Sequence, residues 1–154
     1  TARAGLNLLF NNCLDRYPRI KFILAHAGGT LPYFAWRLGE IMERQMTNDP
    51  WVTQYRSRFM DANAGKVTRD LVLSKIRRFY FDTALSAGPQ TMASLLQVAD
   101  HDKILFGSDW PYCPEDMAIS MIGALEENPL LGEDLKRAIA RENALKLFPR
   151  LANT

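Results

Sequence analysis

Histidine is scarce in this chain: two, His26 and His101, in 154 residues. A catalytic metal centre ordinarily draws on three protein ligands and keeps one position open, so the histidines alone cannot build one. Cysteine is equally sparse. Cys13 and Cys113 exclude a disulfide framework, and a reducing cytosol fits them best. No apolar run approaches the roughly 18 residues a membrane helix needs, and nothing at the start resembles a signal peptide, so a cytoplasmic protein with no membrane partner is expected. Glycine-rich phosphate loops are missing, because no GxGxxG or Walker pattern surrounds Gly28-Gly29. The serines show no nucleophile elbow. Excess charge is small, +2, and the basic residues are scattered as Arg16/Arg19, Arg56/Arg58 and Arg77/Arg78. That dispersal predicts a solvated surface rather than a nucleic-acid face. A start at Thr1, without Met, leads us to expect part of a longer protein.

What is present is an ordinary globular composition, 47% hydrophobic and 23% charged, sufficient for one domain with a sizeable core. The chain is organised around Lys103 to Pro114, K-I-L-F-G-S-D-W-P-Y-C-P. Ile104, Leu105 and Phe106 suit one buried strand. Gly107-Ser108 ends it, and Asp109 follows. Phe22-Ile23-Leu24-Ala25 repeats this grammar and is followed by His26 and Ala27-Gly28-Gly29. Phe79 to Phe81 is a third such run, with Asp82-Thr83-Ala84 behind it. Polar residues just past the carboxyl ends of buried strands are where α/β folds place their chemistry.

The rest of the pattern is helical. Leu6, Leu9, Phe10, Cys13, Leu14 and Tyr17 predict an amphipathic helix over 2–17, ended by Pro18; Cys13 is expected to be a small core residue. The strand over 20–25 is apolar on nearly every residue, as in a parallel strand covered on both faces. Thr30 and Pro32 predict the start of a helix that buries Phe34, Leu38, Ile41 and Met42. Thr47 to Gly65 reads as an excursion, an elaborated loop with one short helix bearing Trp51, Tyr55 and Phe59, and 68–75 as a further short helix. Gly88-Pro89 opens a helix with Met92, Leu95, Leu96 and Ala99 inward. Pro114 opens another with Ala118, Met121, Ile122 and Leu125 inward, and Gly132 to the end is helical again, packing through Leu135, Ala138, Ile139, Leu145, Leu147 and Phe148. Alternating strands and helices predict a parallel sheet with right-handed crossovers.

Four residues carry the candidate chemistry in order of weight. His26 has small neighbours that leave room beside the imidazole, which suits metal ligation or proton transfer near neutral pH. Asp109 can hold a divalent metal or take a proton from metal-bound water. Asp82 is either a third site residue or a brace for neighbouring loop amides. Cys113, four residues past Asp109, could face a pocket, whereas His101 lies in the polar A-D-H-D-K segment and is expected to be structural.

L-A-H-A-G-G-T-L-P-Y, F-Y-F-D-T-A, I-L-F-G-S-D-W-P-Y and E-N-A-L-K-L-F-P-R-L resemble, in order and spacing, the C-terminal part of the amidohydrolase-related family of the metal-dependent amidohydrolase superfamily. The branch is that of aminocarboxymuconate-semialdehyde and resorcylate-type decarboxylases. The resemblance covers nearly the whole chain and implies the C-terminal half of a (β/α)₈ TIM-barrel-like fold. Residues 1–154 would be one C-terminal portion carrying strands six to eight. The family's His-x-His and its fifth-strand histidine would lie before Thr1, which would account for the shortage of ligands. The resemblance further implies Asp109 as metal ligand, His26 as acid/base or orienting group, and Tyr112 as a pocket aromatic. It implies Arg37, eleven residues past His26, as a carboxylate-binding arginine supplied across a homodimer interface; read from the helix alone, Arg37 is a surface residue. Ala27 departs from the glycine common in that branch. The implied cofactor is a divalent metal, zinc by expectation. The implied substrate is a small carboxylated or aromatic-derived acid, decarboxylated without oxidation or hydrolysed. The rival reading is a catalytically incomplete, stand-alone barrel fragment for binding or assembly, whose open sheet edges invite self-association.

Overall fold

The computed structural model describes residues 1–44 and 48–152. Thr47, where the predicted excursion begins, lies outside them, as do the last two residues of the predicted terminal helix.

Three very short strands form one parallel sheet in chain order: β1 (Ile23–Leu24), β2 (Tyr80–Asp82) and β3 (Ile104–Leu105). The register aligns Leu24, Phe81 and Ile104 in one row. All three are buried on the side where the helices pack, and each such side chain contributes roughly 1.5–3 kcal/mol by leaving water. The opposite side differs from the expectation of a strand covered on both faces. Ile23 is exposed, Tyr80 and Asp82 are half-buried, and Leu105 is covered. Ile20, predicted to lie inside the first strand, is exposed before it. Continuous apolarity reads as two-sided burial only when something packs on both sides, and among the described residues little lies over Ile23.

The predicted first helix is two. α1 (Ala2–Phe10) stops at Asn11, and α2 (Cys13–Arg16) restarts after Asn12, which takes a left-handed φ of 54°. Asparagine tolerates that conformation. Its Nδ2 donates to the Arg58 carbonyl at 3.2 Å, so the break is tied to the rest of the fold. Cys13 is half-buried, and Tyr17, predicted on the apolar stripe, is exposed.

α3 (Leu31–Arg44) buries Leu31, Pro32, Ala35, Gly39 and Met42. The predicted face centred on Phe34, Leu38 and Ile41 lies at its margin, because the small residues Ala35 and Gly39 are where a neighbouring helix comes close. That helix is α5 (Arg69–Ile76), with the Thr68 side chain accepting from Leu71 N–H at 3.1 Å as an N-cap. The excursion contains a full helix, α4 (Pro50–Ala62), capped by Asp49 accepting from the Trp51 and Val52 amides. α6 (Pro89–Val98) crosses from β2 to β3, burying Met92, Leu95 and Val98. α7 (Glu115–Glu126) buries Ala118 and Leu125 but leaves Ile122 exposed, against expectation.

α8 (Glu133–Arg137), a π-helical turn (Ala138–Glu142) and α9 (Asn143–Leu147) run end to end along β3. Leu105 O bonds toward β2 through Thr83 N–H, so Ile104 O and Phe106 N–H face the outer edge of the sheet. The terminal helix takes both. Ile139 O in the widened turn accepts from Phe106 N–H at 2.9 Å, and Asn143 Nδ2 donates to Ile104 O and His101 O, each at 2.9 Å. No helix among the described residues is long and apolar enough to cross a membrane.

Candidate active site

The three strands are parallel, so their carboxyl ends share one pole, and the segments after them carry His26, Asp82 and Asp109. A short 3₁₀ turn (His26–Gly28) follows β1. His26, Ala27, Gly28 and Gly29 all have positive φ, between 52° and 76°. Such angles are uncommon outside glycine. At position 28 only glycine fits, because a Cβ there would come within 2.9 Å of the Phe81 ring.

Asp82 holds this turn in place. Its Oδ1 accepts from His26 N–H at 2.8 Å and from Ala84 N–H at 3.1 Å. Of the two roles the sequence left open for Asp82, bracing loop amides is the one these bonds describe. The His26 ring is fixed by the same loop, with Nδ1 3.0 Å from Ala84 O. A carbonyl oxygen only accepts, so Nδ1 carries the hydrogen in the neutral ring. Nε2 is therefore left with its lone pair bare, able to ligate a metal or take a proton.

The third segment is joined to the second by close approach. Gly107 N–H donates to Thr83 Oγ1 at 3.2 Å, and a Cβ on Gly107 would lie 3.2 Å from the Asp82 side chain. A larger residue would make the Asp82 side chain give way by a few tenths of an ångström. Two residues on, Asp109 is half-buried with φ of 62°. Its carboxylate makes no hydrogen bond or ion pair to another described residue. Its charge is felt at Cys113, whose thiol is pushed up by burial first and by the Asp109 and Asp116 carboxylates next. Cys113 is buried, with Sγ 3.3 Å from Pro114 O, and so is a packed residue.

The other candidates lie apart. Tyr112 exposes 91% of its surface. Arg37 is exposed on α3, with no hydrogen bond or ion pair to another described residue. His101 is exposed in a 3₁₀ turn and bonds through its backbone to Asn143. Among the described residues no group of three or more His, Cys, Asp or Glu side chains converges as a metal cage. Thr83, Gly107 and Asn143 were not singled out from the sequence. Asn143 lies four residues past Ile139, on the buried stripe, and a polar residue at such a position is the signal that could have found it.

A strand-end imidazole with a bare nitrogen and, at the same pole of the sheet, a strand-end carboxylate without a partner among the described residues are groups suited to metal-assisted or acid–base chemistry. The amidohydrolase family matches residues 1–150, and the chain belongs to that family. Within it the chain falls with the resorcylate-decarboxylase-like branch. It is 38% identical over 151 residues to a 6-methylsalicylic acid decarboxylase of Penicillium expansum, covering 98% of this chain and 41% of that protein. It is 28% identical to a gamma-resorcylate decarboxylase of Polaromonas, covering 96% and 40%. A crystal structure of a dihydroxybenzoic acid decarboxylase from Polaromonas, with bound manganese and the inhibitor 2-nitroresorcinol, superposes with a TM-score of 0.69 at 27% identity, covering 96% of this chain and 39% of that one. The chain thus spans about two fifths of the length of these relatives.

Proposed function

We propose that this chain is the C-terminal portion of a metal-dependent, barrel-type decarboxylase of small aromatic carboxylic acids. The observation that carries the proposal is the bare Nε2 of His26, fixed by Ala84 O at the same pole as the unengaged Asp109 carboxylate. The donor set suits a divalent cation in kind but falls short in number, and the remaining ligands would come from the part of the protein outside this chain. Asp109 would hold the metal. Zinc is the expectation from the resemblance, while manganese is the metal in the solved relative. When bound, the metal would polarise the substrate.

The reaction breaks the bond between ring carbon and carboxylate, releases carbon dioxide, and needs one proton at the ring carbon. His26 would take that proton from solvent at Nε2 and deliver it to the ring carbon. Asp82 holds the His26 backbone, and Ala84 O holds the tautomer. Arg37 would take a substrate carboxylate at a subunit interface, and Tyr112 would line the pocket once a second surface covers it. Both are exposed here, as groups awaiting a partner surface are. Hydrolysis uses the same equipment, but the decarboxylase relatives favour loss of carbon dioxide.

The test is carbon dioxide release from 6-methylsalicylate and 2,6-dihydroxybenzoate by the full-length protein loaded with manganese or zinc. Asp109→Asn and His26→Ala should each lower kcat by at least about a hundredfold, the scale of a lost acid–base group. Undiminished turnover in Asp109→Asn would overturn the assignment. A stand-alone binding or assembly role is favoured by one observation, the exposed Ile23 on the unpacked side of the sheet. It would displace the first reading if the full-length protein released no carbon dioxide.

A further inference from the structure

The excursion after α3 builds a feature that neither the sheet nor the strand-end site uses. Its helix α4 packs on α1 through an aromatic cluster. Phe10 lies 5.4 Å from Tyr55 and 6.2 Å from Phe59, and Trp51 lies edge-on to Tyr55 at 4.8 Å. Between α1, α3 and α4 this leaves a groove of about 490 Å³. Its walls are Leu6, Phe10, Leu38, Val52, Trp51 and Tyr55, with Arg3 and Asn7 on the α1 side. None of His26, Asp82 and Asp109 lines it.

Two facts about this groove point to one kind of occupant. Trp51 exposes 65% of its surface beside it, a large apolar area left in water. Arg3 makes no hydrogen bond or ion pair to another described residue. A guanidinium with no partner among the described residues, on the wall of an apolar, aromatic groove, complements a carboxylate attached to a flat ring. The ring gains edge and face contacts with Trp51 and Tyr55, and the carboxylate meets the planar fork of Arg3. We propose that this groove binds a small aromatic carboxylate, the ring against Trp51 and Tyr55 and the charge on Arg3. The site goes beyond the decarboxylase reading and does not depend on it.

The test uses the whole 154-residue chain labelled with ¹⁵N, with the Trp51 indole N–H assigned through Trp51→Phe. 2-Naphthoate and the neutral 2-naphthamide are titrated separately. We expect saturable shifts centred on Trp51, Tyr55 and the first turns of α1, with naphthoate binding about tenfold tighter than the amide, as one charge-assisted contact gives. Arg3→Gln, on an exposed helix face, should erase that tenfold preference while leaving naphthamide binding and the rest of the spectrum unchanged. Val52→Trp, which fills the groove, should abolish both titrations. Equal affinities for the two probes, a preference that survives Arg3→Gln, or no saturable shift at Trp51 would each overturn the proposal. So would Trp51 shifts that depend on protein concentration without any probe, since a second copy would then occupy the groove.

Discussion

One face of the three-stranded sheet carries Leu24, Phe81 and Ile104, at 4%, 0% and 0% exposure; the other runs from Leu105 at 5% on β3 to Ile23 at 41% on β1. The two edges differ as well. On the β3 side, Ile104 O and Phe106 N–H are engaged by Asn143 and Ile139, whereas among the described residues β1 pairs only with β2. The helical side and the β3 edge are thus complete within the chain, and the β1 edge and the side bearing Ile23 are not. The proposed barrel portion would have that asymmetry, its outward side closed on its own helices and its inward side open.

The comparison can be broken most severely at its centre. Phe81→Ala should destabilise the chain by about 3–5 kcal/mol, the range for emptying a large aromatic site. Ile23→Ser on the opposite side should change stability by less than about 0.5 kcal/mol. Urea unfolding midpoints measure both, and comparable losses would mean that Ile23 is packed. Next comes the closed edge. Asn143→Leu strips His101 O and Ile104 O of their donor in a buried setting and should cost about 2 kcal/mol by the same measurement. A neutral result would mean that the terminal helix does not hold β3.

A smaller effect sharpens the boundary between core and surface. Asp15 joins α2 to α5 through Lys75 at 2.5 Å and bonds Arg78 in the turn past its end. Burial works to raise its pKa, but the hydrogen bonds and charges of Lys75 and Arg78 outweigh it, and the carboxyl sits below its ordinary 3.8. A carboxyl depressed in the folded state adds stability that is present above pH 3.8 and is lost as pH falls through its lower folded value. Because Asp15 is partly exposed, Asp15→Asn should cost no more than about 1 kcal/mol at neutral pH. The gap between parent and variant should close below about pH 4 in acid unfolding. A gap that widens in acid would reverse the sign.

Much of this architecture was legible from residue order. Apolar runs ended by small or polar residues located all three strands, and strand-end position picked out His26 and Asp109, because a residue after a buried run has nowhere to point but the pole of the sheet. What could not be read depended on distant partners. Ile20 and Ile23 are as apolar as any buried residue, and only the absence of packing over them marks their side. Asn12 breaks a helix whose periodicity continues unbroken through Cys13, because left-handed backbone at one residue leaves no mark in a hydrophobic pattern. Asp82 and Gly107 acquire their roles from each other, 25 residues apart. The Thr47 to Gly65 excursion reads as an elaborated loop with only a short helix, because its aromatics follow one stripe while its other faces are polar; Tyr55 and Phe59 of that stripe dock the longer α4 on α1.

The most direct measurement of the account is the ¹⁵N NMR spectrum of the His26 imidazole in this chain, above the pH at which the ring is neutral. With only two histidines, assignment needs one variant, His101→Gln. The account predicts a protonated Nδ1 and a bare Nε2, held by Ala84 O. A protonated Nε2 with a bare Nδ1 would contradict it, since the nitrogen offered to metal or proton would then be the one turned into the loop.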